Sequence, residues 1–167
     1  MSNKISFADI KNSKEVQTYI RQADASLKAL GFTEHSFAHS TKCAEVAGAL
    51  LKDLEYGEHD VELAKIAAYM HDIGNVVNRA DHAQSGAVMA FRILDKMGML
   101  SEDTATIITA IGNHDEATAF PVNAIAAALI IADKTDVRRS RVRDRETIHS
   151  DIHDRVNYAV EKSDLHL

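Results

Sequence analysis

Residues 39–57 read HSTKCAEVAGALLKDLEYG. Cys43, Val46, Ala47, Leu50, Leu51 and Leu54 follow the i, i+3, i+4, i+7 spacing that lays one apolar stripe along one face of a helix. The stripe predicts a helix that begins around His35, faces a core and breaks at Gly57. Immediately downstream, a helix is expected from about Glu58 to Ile73, stopped by Gly74. Its middle, LAKIAAYM, is apolar nearly all round, as a helix enclosed by others must be. Upstream, a helix is expected after Ser13 and before Gly31, with Val16, Ile20, Leu27 and Leu30 among its apolar positions. Further on, Asp81 followed by Gln84 resembles a capping box, and the helix behind it continues to Met97 with Gly98 as its stop. Ser101 is expected to cap the next helix, which carries Ile107, Ile108 and Ile111 and ends near Asn113 and His114. Pro121 suits the first turn of another, AIAAALIIADK, running on toward the charged stretch Arg138 to Glu146, and an amphipathic segment from about Asp151 closes the chain. One proline, seven glycines and no strand signal complete an all-α expectation of six or seven helices.

A chain of 167 residues fits one domain, 1–167, with a core that needs no staples. The single cysteine, Cys43, excludes an internal disulfide and a zinc site built on several thiolates, so any metal must rest on nitrogen and oxygen. Cys43 lies on the apolar stripe and reads as a small core residue. The N-terminal MSNKISFADIKNSKEV holds no apolar block of signal-peptide length, and the longest apolar run, Ala124 to Ala132, is too short to span a bilayer. A cytoplasmic location and no membrane contact are expected. A net charge of −6 gives no general footprint for nucleic acid, which is not expected as a partner. The basic segment RRSRVRD is interleaved with Asp144 and Glu146 and reads as a helix face with side-chain ion pairs. A homodimer is left open.

Nine histidines are an unusual allotment, and their positions carry the argument. Treat the helices containing His39 and His71 as an antiparallel hairpin. From His39 to Leu54 the chain climbs roughly 23 Å, and from Asp60 to His71 it returns roughly 17 Å, at ~1.5 Å per residue. The next hairpin repeats this: His82 to Met97 is roughly 23 Å out and Glu102 to His114 roughly 18 Å back. Four imidazoles can therefore share one end of a bundle, with Asp72 beside His71. The count does not close for Asp133, which a straight helix from Pro121 leaves roughly 18 Å away unless a crossing helix or a longer loop brings it back. His149 and His153 also stand at i, i+4, but arginines and acids dominate that segment and a solvated face is expected.

His39 in HSTKCAEVA, the doublet His71-Asp72 in MHDIGN, His82 in DHAQSGAVMA, His114 in NHDE and Asp133 in IADKTD resemble, in this order, the signature of the HD-domain superfamily of metal-dependent phosphohydrolases. The similarity spans about residues 34 to 140, leaving an N-terminal helix and a C-terminal helical extension outside the core. The resemblance implies an HD-domain helical bundle in which His39, His71, Asp72 and Asp133 surround one metal. Asp72, as a bridge, would hold a second with His82 and His114, so that Asp72, His82 and His114 are the catalytic candidates. Asn75 stands where the family often has lysine, and Asn113-His114 stands where members acting on cyclic dinucleotides carry paired histidines. Their Gly-Tyr-Pro motif is absent. His35 occupies a place where relatives with three metals carry a carboxylate.

Imidazoles with carboxylates suit manganese, iron, zinc or cobalt, whereas magnesium prefers more oxygen ligands. One or two divalent ions are expected, iron or manganese on the resemblance, with zinc or cobalt as alternatives. The expected substrate is a phosphomonoester or phosphodiester, a nucleotide or small phosphorylated metabolite, cleaved by metal-activated water. Arg79, Lys134, Arg138 and Arg139 are candidates to meet its charge, since arginine forks match phosphate oxygens. Asp115, Glu116 and Asp136 are candidates to take protons, and the sequence does not choose among them. The same ligand set serves mixed-valence diiron oxygenases with the HD fold, or a binding module that keeps a metal or nucleotide without turnover.

Overall fold

The computed structural model describes residues 4–143, 148 and 152–166. Among them lie eight α-helices, two 3-10 turns and no strand. The helices are α1 (Phe7–Asn12), α2 (Lys14–Ala29), α3 (Phe37–Asp53), α4 (Glu58–Met70), α5 (His82–Met97), α6 (Ser101–Gly112), α7 (Ala124–Thr135) and α8 (Ile152–Ala159). The count exceeds six or seven because α1 is a single short helix with few periodic positions. What makes it is local: the Ser6 side chain accepts from the Asp9 backbone N–H while Asp9 accepts from Ser6, a complete capping box.

The apolar α4 is the central element. Val61, Leu63, Ala64, Ile66, Ala67, Ala68, Tyr69 and Met70 are all buried, and α3, α6 and α7 pack around it. The α3 stripe meets it through Cys43, Ala47, Leu50 and Leu51, whereas Leu54 lies past the helix end and is exposed. Helices α3 and α4 form one hairpin and α5 and α6 another, as the length arithmetic requires.

Several expected boundaries move. Helix α3 starts at Phe37 with Ser36 as its cap, not at His35. Helix α4 ends at Met70, and Ile73–Val76 form a 3-10 turn, so the His71-Asp72 doublet stands outside regular helix. The Asp81 capping box does not form: Asp81 adopts a left-handed φ of 56° and makes no side-chain cap. Ser101 is the first residue of α6 rather than its cap, a position taken by Leu100. Pro121 precedes α7 instead of opening it, because the Asn123 side chain accepts from Ala126 N–H and sets the start there. Helix α7 also stops at Thr135. The basic segment beyond is an irregular strap around the 3-10 turn Arg139–Arg141, not a helix face. Asp144, Glu146, His149 and Asp151 lie outside the described residues. Among the described residues no helix is long and apolar enough to cross a membrane.

Candidate metal centre

His39 sits in the first turn of α3, His71 caps the end of α4, His82 opens α5, His114 follows α6, and Asp133 lies in the last turn of α7. All are at the same end of the bundle. Asp133 arrives there because the chain leaves the site at His114, runs through a loop to Ala124, and returns along roughly 14 Å of helix. The longer loop closes what the straight-helix count left open.

Asp72 is at the middle. Its Oδ2 lies 3.0 Å from His71 Nε2, 3.5 Å from His39 Nε2 and 3.9 Å from His35 Nε2. Its Oδ1 lies 3.5 Å from His82 Nε2 and 3.9 Å from His114 Nε2. Asp133 Oδ1 adds contacts of 3.3 Å to His39 Nε2 and 3.6 Å to His71 Nε2. One carboxylate thus divides its two oxygens between two sets of imidazoles.

The other ring nitrogens explain why every Nε2 points inward. His71 Nδ1 lies 2.7 Å from the Ala68 carbonyl, His114 Nδ1 2.6 Å from that of Ile111, His82 Nδ1 3.1 Å from that of Arg79, and His35 Nδ1 2.7 Å from that of Thr33. A carbonyl only accepts, so each Nδ1 carries the proton and each Nε2 presents a lone pair. His39 is held by a carboxylate instead, its Nδ1 2.8 Å from Asp136 Oδ2. This pairing of ring and outer acceptor orients metal-ligating histidines.

Lone pairs facing carboxylate oxygens repel unless a positive charge stands between them. Asp72 Oδ2 is buried and, while the imidazoles are neutral, takes no hydrogen bond from the described residues. Two groups of donor atoms, His39, Cys43, His71 and Asp133, and His71, Asp72 and His114, each lie within 4.8 Å of one another and could hold a metal ion. The donor chemistry fits a divalent cation. The thiol of Cys43, buried on α3, lies 3.6 Å from His39 Nδ1, so the small core residue touches the site as well.

Without an ion, protons take its place. Burial works against the His71 imidazolium, but Asp72 and Asp133 carry its pKa up to about 10. His39 is raised too: burial opposes its charge, and Cys43, Asp133 and Asp136 outweigh that. Burial would raise Asp72 and Asp133, yet the imidazoles beside them hold both well below the usual carboxylate range. Burial keeps His114 and His35 neutral, down to about 4 and about 3, and lowers His82.

The centre forms the floor of a cleft of about 300 Å³. Arg79 and Lys134 line it; Arg138 and Arg139 do not. Arg138 is turned to Asp136, with Nε 2.7 Å from Oδ1, and to Glu34. Arg139 donates to the Tyr158 carbonyl and lies over that ring, 4.9 Å from its centroid. Asp115, Glu116 and Asp136 all border the cleft, but Asp136 is buried and its carboxylate is turned to His39. His153 is also on the lining, 4.0 Å from Glu116, while its expected mate His149 is outside the described residues.

Sequence reasoning named Asn75 and Asp136 without the roles they play and gave Arg141 no role of its own. Asn75 Nδ2 donates to Asp72 Oδ1 at 3.0 Å, and its Oδ1 accepts from Arg79 at 3.3 Å, so the residue in the lysine position clamps the central carboxylate and places a guanidinium. Asp136 had been considered for protons, not as the partner of His39. Arg141 is buried, donating to the carbonyls of Asp136 and Glu34, and ties the strap to the loop before α3.

A family model described as HD domain matches residues 36–148. The "Uncharacterized protein MJ1020" of Methanocaldococcus jannaschii is 25% identical over 162 aligned residues, which cover 84% of this chain and 62% of that protein. The chain therefore spans somewhat under two thirds of that relative's length. No solved structure matches the chain significantly. With five elements delivering the ordered histidines and aspartates to one centre, and the family match extending over more than half of the residues, the chain belongs to the HD domain family.

Proposed function

We propose that this chain is a metal-dependent phosphohydrolase that cleaves a phosphomonoester or phosphodiester in a nucleotide or another small phosphorylated metabolite. The observation that carries the reading is the division of Asp72, with Oδ2 facing His39 and His71 and Oδ1 facing His82 and His114. On this reading His39, His71, Asp72 and Asp133 hold one divalent ion, and Asp72, His82 and His114 hold a second. The imidazole and carboxylate donors suit manganese, iron, zinc or cobalt, and membership of the HD domain family favours iron or manganese among them. Such ions, when bound, acidify water from a pKa of ~15.7 toward ~7 and offset phosphoryl charge.

The protein's own groups do the rest. Asn75 fixes Asp72 from behind, which keeps the carboxylate from rotating out of its dividing position. Arg79 offers the cleft a guanidinium that matches phosphate oxygens in pairs, while Lys134 is engaged by Asp133 at 2.9 Å and Glu116 at 3.0 Å. Asp115 and Glu116, at the cleft border, can pass a proton between the leaving oxygen and bulk water.

Protein loaded with manganese or iron should release phosphate from at least one member of a broad ester panel. Asp72→Ala should lose both metal and turnover. Loaded protein inert across the panel ends this reading. Oxygen uptake with a coupled-iron paramagnetic signal would move the assignment to an oxygenase, and nucleotide stabilisation without product would move it to a binding module.

A further inference from the structure

We propose that the ligand of this cleft carries a single phosphoryl group on a body with an apolar or aromatic face, and that α8 supplies the surface receiving that body. The inference rests on the phosphohydrolase reading and adds the charge and shape of the substrate. Five carboxylates, Asp72, Asp115, Glu116, Asp133 and Asp136, line the cleft against three cations, Arg79, Lys134 and Arg141. Two of the cations are engaged: Lys134 by Asp133 and Glu116, and Arg141, 6% exposed, by the carbonyls of Asp136 and Glu34. Among the described residues, Arg79 alone of these cations faces the cleft with no carboxylate in ion-pair range; its guanidinium reaches Asn75, His82 and the Phe32 ring.

One phosphoryl group can be met by the metal floor and Arg79. A second or third would stand further out, beside the Asp115 carboxylate and the Lys134–Glu116 pair, where the described residues offer no unpaired cation. Like charges placed together discriminate against a ligand more sharply than missing contacts do. A chain of phosphates is the wrong shape of charge for this cleft.

Beside Thr33, His153 and Asn157, the remaining lining includes an apolar wall. Ile152 and Val156, at i, i+4 on one face of α8, are 57% and 46% exposed although they border the cleft. Val137 and Phe32 border it too, and the Arg79 guanidinium lies 5.6 Å from the Phe32 ring centroid. Apolar side chains left in water beside an ionic floor gain by covering an apolar ligand surface, and Phe32 offers a face on which a flat ring can stack. The body of the ester and its phosphate are thus recognised by opposite chemistries within one cleft.

The test measures binding by calorimetry and turnover at one fixed free manganese concentration, with adenosine mono-, di- and triphosphate and glycerol phosphate as probes. Adenosine monophosphate should bind more tightly than the triphosphate by about tenfold and more tightly than glycerol phosphate by about five- to tenfold. The double variant Ile152→Asp, Val156→Asp, at exposed positions, should bring the ratio between adenosine monophosphate and glycerol phosphate close to one while its melting profile stays cooperative. A triphosphate bound as tightly as the monophosphate, an unaltered ratio in the variant, or no binding of any probe overturns the inference. Selective binding of the monophosphate with no probe or panel ester turned over would uphold the cleft assignment and remove the hydrolase reading instead.

Discussion

His39 has both ring nitrogens committed, Nε2 toward Asp133 and His71 and Nδ1 toward Asp136 at 2.8 Å. Burial works against the Asp136 carboxylate, yet His39 and Arg138 hold its pKa below the usual range, so it stays an anion aimed at the ring. Such outer partners fix ring orientation and raise basicity, and losing one costs about 10- to 100-fold in metal affinity. Asp136→Asn should therefore weaken manganese binding by about that factor in a competition titration, without unfolding the protein. An unchanged affinity would mean that His39 is oriented by packing alone. The inward histidines were legible because helix length fixes where a hairpin returns, and a residue at a return point needs no tertiary information. Asp136 was harder to read. It stands three residues after Asp133, which favours one side of a helix, but it lies past the end of α7, where periodicity no longer says which way a side chain points. The clamp made by Asn75 was unreadable for another reason: it holds Asp72, and no spacing rule describes an amide that fixes a carboxylate three positions before it.

The element that places the doublet is the turn Ile73–Val76, pressed onto the start of α5. A Cβ at Gly74 would fall 2.0 Å from the His82 carbonyl oxygen and 2.5 Å from Gly86 N, both backbone atoms that cannot swing away. Gly86 repays the approach from the other side, since its own Cβ would meet the His71 carbonyl oxygen at 3.2 Å. Two bare backbones in contact bring Asp72 within reach of His82. Gly74→Ala must separate them, and overpacking of this kind costs about 1–3 kcal/mol or more. Its melting temperature and its metal content should fall together; a drop in stability with full metal retention would show that the turn and the centre are independent. At this scale the long helices were readable from their apolar stripes, as α3 and α4 are. The short ones were not, because α1 has six residues and announces itself only through the Ser6 and Asp9 cap. The basic strap was misjudged as helix since arginine has good helix propensity, whereas here buried Arg141 and its neighbours fold back to satisfy the carbonyls and carboxylates around Glu34 and Asp136.

For the whole molecule, the centre sets how stability depends on pH, and the sign differs between its two sides. In metal-free protein His39 and His71 are raised, His71 to about 10, so their contribution is complete below the unfolded value of ~6.5 and is lost as pH rises through the folded values. His35 and His114 are depressed to about 3 and about 4, and His82 is lowered as well. Below ~6.5 the unfolded chain takes protons that these three refuse, so their contribution falls as pH drops. Asp72 and Asp133, held low by the imidazoles, add to the acid side below ~3.9. Metal-free protein should thus be most stable near pH ~6.5 and decline in both directions. A metal ion requires His39 and His71 unprotonated, so it displaces the protons that stabilise the empty centre and removes the alkaline decline. The rise in melting temperature on adding manganese should therefore grow from about pH 6 to about pH 9, and metal should be lost as pH falls below roughly 6. Paired melts of chelator-treated and manganese-loaded protein across that range measure the difference directly. An increment that does not change with pH would mean that protons and metal do not compete for the same imidazoles, and that the cation sits elsewhere.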